Sequence, residues 1–133
     1  MSPEEARDLF ASARCVRLAT ADAAGKPHIV PLVFAVDGDT IYSAVDPKPK
    51  RTTDLKRLRN VAANPRVALL ADHYDDADWD VLWWARADGT GRVLEESAEA
   101  VALLRDRYGQ YRDAPPEGPV LAVDVRRWSG WHA

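Results

Sequence analysis

Lys48, Lys50, Arg51, Lys56, Arg57 and Arg59 crowd the segment Asp46 to Arg59, which carries six basic and two acidic side chains. The first three precede a stretch, about Thr52 to Ala63, in which Leu55, Leu58, Val61 and Ala62 recur at helical spacing. A helix start is the positive end of the helix dipole, so cations gathered there are unfavourable unless an anion joins them. Phosphate suits such a place, because it accepts hydrogen bonds from the unpaired N–H groups of the first turn and from Lys and Arg together. The competing reading is a solvated basic face, which is the ordinary role for Lys56 and Arg57, further along the helix.

Other chemistry finds little support in the residues. His28, His73 and His132 are scattered without zinc-ligand spacing, and one cysteine cannot complete a site with them, so no metal is expected. The serines lack the strand-to-helix elbow of a hydrolase nucleophile. Gly89 and Gly91 fit a bulge or a close backbone contact better than a phosphate loop. Cys15, in an apolar strand, is expected to be an inert core thiol. Trp79, Trp83, Trp84, Trp128 and Trp131 suit a core or an interface between subunits. Trp83 and Trp84 must face opposite sides of a strand, so one of them is free to line a groove.

The chain has 133 residues, a normal size for one domain, and it should form a single one over 1–133. With 47% hydrophobic and 29% charged residues it reads as a soluble globular chain. A net charge of −3 argues against a nucleic-acid binder and leaves the basic segment as an isolated patch on an acidic protein. The single cysteine, the acidic start at Glu4, Glu5 and Asp8, and the lack of any run of membrane-spanning length predict a cytoplasmic protein with no membrane partner.

The elements that must position the basic segment follow from pattern. Ser2 as N-cap, Pro3 and the two glutamates open a helix running to about Ala13. Cys15 to Ala19 and His28 to Val36 read as paired strands around a turn at Asp22 to Lys26, with Pro31 placed at an edge or bulge. Asp37-Gly38 turns into a strand at Thr40 to Ala44. The helix from Thr52 ends at Asn64-Pro65, and Arg66 to Ala71 is a strand. An acidic loop from His73 to Asp80 precedes strand-forming residues from Val81 to Leu94, in which Asp88-Gly89 is either a hairpin turn or a bulge. A helix over Ser97 to Tyr111 and a strand at Val120 to Val125 with an aromatic tail complete the chain. Tight turns between successive strands mean mainly antiparallel pairing, and the fold class expected is mainly β with helices: a small closed or split β-barrel with helices at its ends.

The sequence resembles the pyridoxamine 5'-phosphate oxidase-like split β-barrel superfamily of flavin and deazaflavin proteins. The resemblance covers nearly the whole chain. It rests on RLAT (Arg17 to Thr20), GKPHIVPLVFAVDGDTIY (Gly25 to Tyr42), KPKRTTDL (Lys48 to Leu55) and NPRVALLAD (Asn64 to Asp72), in that order and spacing. Within the superfamily, KRTTDLKRLRNVAANPRVALL (Lys50 to Leu70) followed by the Trp-rich strand and closing RWSGW is most similar to the branch that uses coenzyme F420, an 8-hydroxy-5-deazaflavin.

The resemblance implies an FMN-binding-protein-like split barrel, assembled as a homodimer with the cofactor groove at the interface. It implies that Lys50, Arg51, Thr52 and Thr53 hold the cofactor phosphate where flavin relatives use a Ser-Arg-Lys segment, one of the two threonines replacing the serine. Lys48, Lys56 and Arg57 are then candidates for the polyglutamate tail of F420, and the backbone of Val30, Pro31, Leu32 and Val33 and of Tyr42, Ser43 and Ala44 for the ring. The implied reaction is hydride transfer to or from a small conjugated substrate. No catalytic residue stands out, since the cofactor carries the chemistry; Tyr42, Tyr74 and His73 are the candidates for a placed acid. FMN in place of F420, and a non-catalytic cofactor carrier, are the alternatives.

Overall fold

A computed structural model describes residues 1–45 and 55–133. Its seven strands form one antiparallel sheet: β1 (Val16–Ala21), β2 (Pro27–Leu32), β3 (Ala35–Asp37), β4 (Thr40–Ala44), β5 (Arg66–His73), β6 (Trp83–Leu94) and β7 (Val120–His132). Their order across the sheet is β2-β1-β5-β6-β7-β4-β3. The two edge strands, β2 and β3, are consecutive in sequence with only Val33 and Phe34 between them, so the sheet curls back on itself and its edges are tied at one corner. That is a split barrel, as expected.

The barrel is filled by the inward residues of alternating strands, among them Val16, Leu18, Leu32, Ile41, Leu69, Ala85, Ala87 and Val123. One end is closed by α1 (Pro3–Ser12), which packs on β6 and β7. There Phe10 meets Phe34 and Trp128 edge-to-face at 5.1 and 5.2 Å. The Ser2 hydroxyl caps α1 by accepting from Glu5 N–H at 3.1 Å, as the sequence predicts. The other end is closed by α2 (Lys56–Ala63), which packs on β1 and β6. A second core lies outside the barrel, where α3 (Ala98–Arg107) and α4 (Gly109–Asp113) cover β3 and β4 through Ala100, Leu104, Tyr111, Tyr42 and Ala44.

Several boundaries differ from expectation. The stretch His28 to Val36 is two strands on opposite sheet edges, because the chain leaves β1 at Val33 and joins β4 at Ala35. Pro31 does lie on an edge strand, where its missing N–H costs no ladder bond. Asp88-Gly89 is no hairpin: β6 runs straight through, and a register shift leaves Arg126 of β7 as the extra residue. The bulge lets β7 continue to His132, so the aromatic tail is strand. The third helix breaks at Tyr108 into two. Cys15 precedes β1 and is exposed, since Val16, Leu18 and Thr20 take the inward positions.

The β1–β2 turn offers a test of local electrostatics. The Asp22 carboxylate accepts from the backbone N–H of Lys26 and of Ala24, both at 2.9 Å, while Gly25 takes φ +85°. The Lys26 bond leads in holding the Asp22 carboxyl below its usual 3.8. Its contribution is therefore present at neutral pH and lost as pH falls through the lowered folded value. A carbon-detected NMR titration should place the Asp22 midpoint below the usual 3.8 of an aspartate; an unshifted midpoint would mean that these bonds do not persist in solution.

Candidate functional site

The split in the barrel is where backbone groups are left over. Among the described residues β2 pairs with β1 alone, so its other edge, Pro27 to Leu32, faces none of the described strands. β3 stops pairing with β4 at Tyr42, whereas β7 accompanies β4 to Ala44. On the side away from β7, Ser43 and Ala44 thus also face no strand among the described residues. These two open stretches diverge from the Val33-Phe34 corner toward the end covered by α2, and free N–H and C=O groups along a wedge can take the polar edge of a flat ligand. Ser43 lies on the barrel side of β4 with Ile41 and is 5% exposed.

At the wide end of this wedge the polar residues gather. Asn60 of α2 donates its Nδ2 to Thr20 Oγ1 at 3.0 Å inside the barrel, tying α2 to β1. Thr20 pairs across the sheet with His28, whose side chain lies on the inward face of β2 and whose Nδ1 is buried without a hydrogen-bond partner. A buried, unpaired ring nitrogen costs about 1–3 kcal/mol, so a group that meets it stabilises the site. Lys56 and Arg57 stand in the first turn of α2, which has no acidic residue. Burial lowers the Arg57 pKa from its usual range, and the Tyr111 phenol acts in the opposite sense. A partly desolvated guanidinium gains more from an incoming anion than a solvated one does.

The helix starts later than the spacing suggests. Leu55 is the N-cap, in extended conformation at φ −87°, ψ 146°; its side chain has no acceptor to cap the helix and packs onto the barrel core instead. The cations in the first turn are therefore Lys56 and Arg57. Lys48, Lys50, Arg51, Thr52 and Thr53 lie outside the described residues. Buried positions on α2 are Leu58, Asn60 and Val61; Ala62, expected inside, is exposed.

The structure separates the other candidates. The Tyr42 side chain belongs to the outer core under α3, away from the barrel interior, and burial leads in raising its pKa above 10.0. His73 stacks on Trp83 at 6.5 Å and Tyr74 donates to Asp76 at 2.8 Å, both at the barrel end covered by α1, opposite α2. None of the three joins Lys56 and Arg57. Trp83 packs against the core while Trp84 turns outward beneath Arg86, 5.6 Å from its ring centre. Sequence reading missed Asn60, Thr20 and His28 as a group. The Leu55–Leu58–Val61 stripe hid Asn60, and the pairing that sets His28 beside Thr20 is long-range.

Comparison with known proteins agrees with this architecture. A dehydrotetracycline reductase from Streptomyces rimosus, named for its 5a,11a-dehydrotetracycline and 5a,11a-dehydrooxytetracycline substrates, is 33% identical over 78 residues, 59% of this chain. The matched region is 54% of that relative, so the chain spans about half the length of the curated relative it matches. A conserved hypothetical protein from Mycobacterium tuberculosis superposes with TM-score 0.76 at 22% identity, covering 99% of this chain and 85% of the other. A FAD-binding protein from Mesorhizobium loti gives 0.72 at 21%, covering 98% and 92%. Such identities establish the shared fold. The pyridoxamine 5'-phosphate oxidase family model matches residues 2–132, and the chain belongs to that family.

Proposed function

We propose that this protein is an oxidoreductase that binds coenzyme F420 along the split of the barrel and works on a small conjugated substrate. The observation that carries the reading is the coincidence of open β2 and β4 edges with a helix start bearing Lys56 and Arg57. The residues present fit a flavin-type group: unpaired strand edges for the ring, the orphan His28 Nδ1 for a polar group, and cations for the anionic tail. When bound, such a cofactor supplies hydride transfer; the chain's share is to hold it, align it and keep water out. Membership of the family and partial identity to a reductase support an oxidoreductase role.

Six basic residues between Asp46 and Arg59 favour F420 over FMN, because a polyglutamate tail presents several carboxylates beyond one phosphate. FMN is the second reading, favoured by the fold shared with the Mesorhizobium protein named for FAD binding. Titrating the cofactor-free protein with F420 and separately with FMN at two salt concentrations separates them. F420 binding that weakens with salt, with poor FMN binding, is expected; tight FMN binding transfers the assignment, and binding of neither ends the proposal. Lys50→Ala or Arg51→Ala should weaken F420 by about 1–3 kcal/mol with the fold intact, as loss of a charge-assisted contact does. Unchanged affinity in both variants would take the phosphate away from that segment.

The proposal includes a homodimer. The outward face of β2, β1, β5, β6 and β7 presents Ile29 at 66%, Leu70 at 39% and Trp131 at 48% exposure. Beside these apolar residues, Arg17 sits against Asp72 at 3.8 Å and Arg86 against Asp88 at 3.0 Å. Apolar side chains mixed with both signs of charge make a surface that can be complementary to itself under a two-fold axis. Sedimentation equilibrium should return twice the chain mass; a monomer at micromolar concentration argues against a shared groove.

A further inference from the structure

We propose that Tyr108, at the break between α3 and α4, is a positioning residue for the ligand groove: its hydroxyl fixes the corner from which the two open strand edges diverge. The inference rests on the reading that a flavin-type cofactor occupies that wedge. Phe34 is the pivot of the wedge, because Val33 and Phe34 are the only residues between β2 and β3 and their backbone belongs to no ladder among the described residues. The Phe34 backbone N–H donates to Tyr108 Oη at 3.2 Å, and the Phe34 carbonyl lies 3.0 Å from the same oxygen as acceptor. The Arg14 carbonyl, also at 3.0 Å, shares that hydroxyl proton, and Arg107 Nε donates to the oxygen at 3.1 Å. A phenol has one proton and two lone pairs, so this oxygen is used to capacity, and half of its contacts go to one residue's backbone. The ring is held as well: Arg14 lies 4.6 Å above it and Tyr111 meets it edge-on at 6.0 Å.

The consequence for the site follows from connectivity. Val30 to Val33 run into Phe34 from one side, and Ala35, paired with Tyr42, leaves it on the other. Rotation about the Phe34 Cα changes the angle between the β2 edge and the Ser43–Ala44 edge, whereas here the N–H of the preceding peptide unit and the C=O of the following one are both bonded to the Tyr108 hydroxyl, so neither unit can turn without breaking its bond. Sites hold their geometry when their supports are themselves locked, and Tyr108 is that support although its own side chain is directed to the opposite side of the corner, into the outer core.

The test compares Tyr108→Phe, which removes one oxygen atom, with Trp128→Phe, which removes the Trp128 Nε1 bond to Asp39 Oδ1 at 2.9 Å and keeps every bond of the Tyr108 hydroxyl to Phe34. Both variants are titrated with FMN and F420, their melting temperatures are measured, and the visible circular dichroism of the bound cofactor is recorded. Tyr108→Phe should weaken the cofactor that wild type binds at least fivefold and change its circular dichroism, while Trp128→Phe, at a similar or larger loss of melting temperature, stays within twofold. Equal effects in the two variants reduce Tyr108 to a general stabiliser and overturn the proposal, as does wild-type affinity with an unchanged spectrum in Tyr108→Phe. Failure of the wild-type protein to bind either cofactor is the separate result that overturns the functional reading and, with it, the groove that Tyr108 is said to position.

Discussion

Gly89→Ala should cost about 3 kcal/mol of folding stability, measured by urea unfolding, because the added carbon has nowhere to go. A Cβ at this position would lie 2.4 Å from the Asp124 carbonyl oxygen and 3.0 Å from Val125 Cα. Both are backbone atoms of the paired strand, so no rotamer change relieves the contact. The closeness comes from the bulge: Asp88 pairs with Arg127 and Gly89 with Val125, so β7 folds its extra residue in and presses its backbone against β6. Gly91→Ala is the internal control. Its Cβ would meet Val61 Cγ1 at 3.0 Å and Leu121 Cδ1 at 3.4 Å, both side-chain atoms, and a smaller loss of about 1 kcal/mol is expected. Gly89→Ala as stable as wild type would mean that β6 and β7 do not pair in this register. Because Val61 of α2 rests on Gly91, parting β6 from β7 should also disturb α2 and the cations in its first turn.

This glycine shows where the sequence is readable and where it is not. Asp88-Gly89 marks an irregularity in any reading, since both residues disfavour a regular strand interior. Choosing between a hairpin turn and a bulge requires knowing whether partners exist on both sides. Those partners, Arg66 to His73 and Val120 to His132, are set by long-range pairing. The same limit split His28 to Val36. Its composition is strand throughout, and only closure of the barrel decides that Leu32 ends on one edge and Ala35 begins on the other. Local signals fared better. The Ser2 cap, the Gly25 and Gly38 turns with positive φ, and the Asn64-Pro65 stop are all short-range and all in place, whereas Ser97, read as the first residue of its helix, is the N-cap.

The candidate site is suggested in the sequence by charge and left open there in its geometry. An excess of lysine and arginine beside an amphipathic stretch signals an anion, but the first helical residue depends on where Leu55 packs, which moves the helix start from about Thr52 to Lys56 and puts Lys56 and Arg57, read as further along the helix, in its first turn. Tyr42 illustrates the converse. A tyrosine on a strand next to the candidate ring contacts reads as a donor, yet alternation puts its backbone near the wedge and its phenol in the outer core under α3. Buried Asn60 could have been suspected, since a polar residue between Leu58 and Val61 on a helix face must find a partner once inside.

Arg107→Ala should cost about 3 kcal/mol as well, by a different route, and urea unfolding again provides the measure. Helix α1 has no basic residue in its last turn and ends at Ala13 in extended conformation, leaving carbonyl oxygens without intrahelical partners. Arg107, from the end of α3, supplies what α1 lacks. Its Nη1 donates to the Ala11 carbonyl at 2.8 Å and its Nη2 to the Ala13 carbonyl, while Nε reaches Tyr108 Oη at 3.1 Å. The guanidinium also lies 4.7 Å from the Phe34 ring centre. One planar fork therefore places a positive charge at the negative end of α1, satisfies two half-buried carbonyls and covers the pivot of the barrel split. Removing it leaves those acceptors poorly satisfied, and bonds from charged donors are worth about 1.5–3 kcal/mol each before partial replacement by water. Arg107→Lys keeps the charge but gives up the fork, so an intermediate loss is expected. If Arg107→Lys equals wild type, the charge alone carries the effect. If Arg107→Ala does, water replaces the fork, and the tie between α1, α3 and the Phe34 corner rests on Tyr108 and on Arg14, whose Nη2 donates to the Arg107 carbonyl at 2.9 Å.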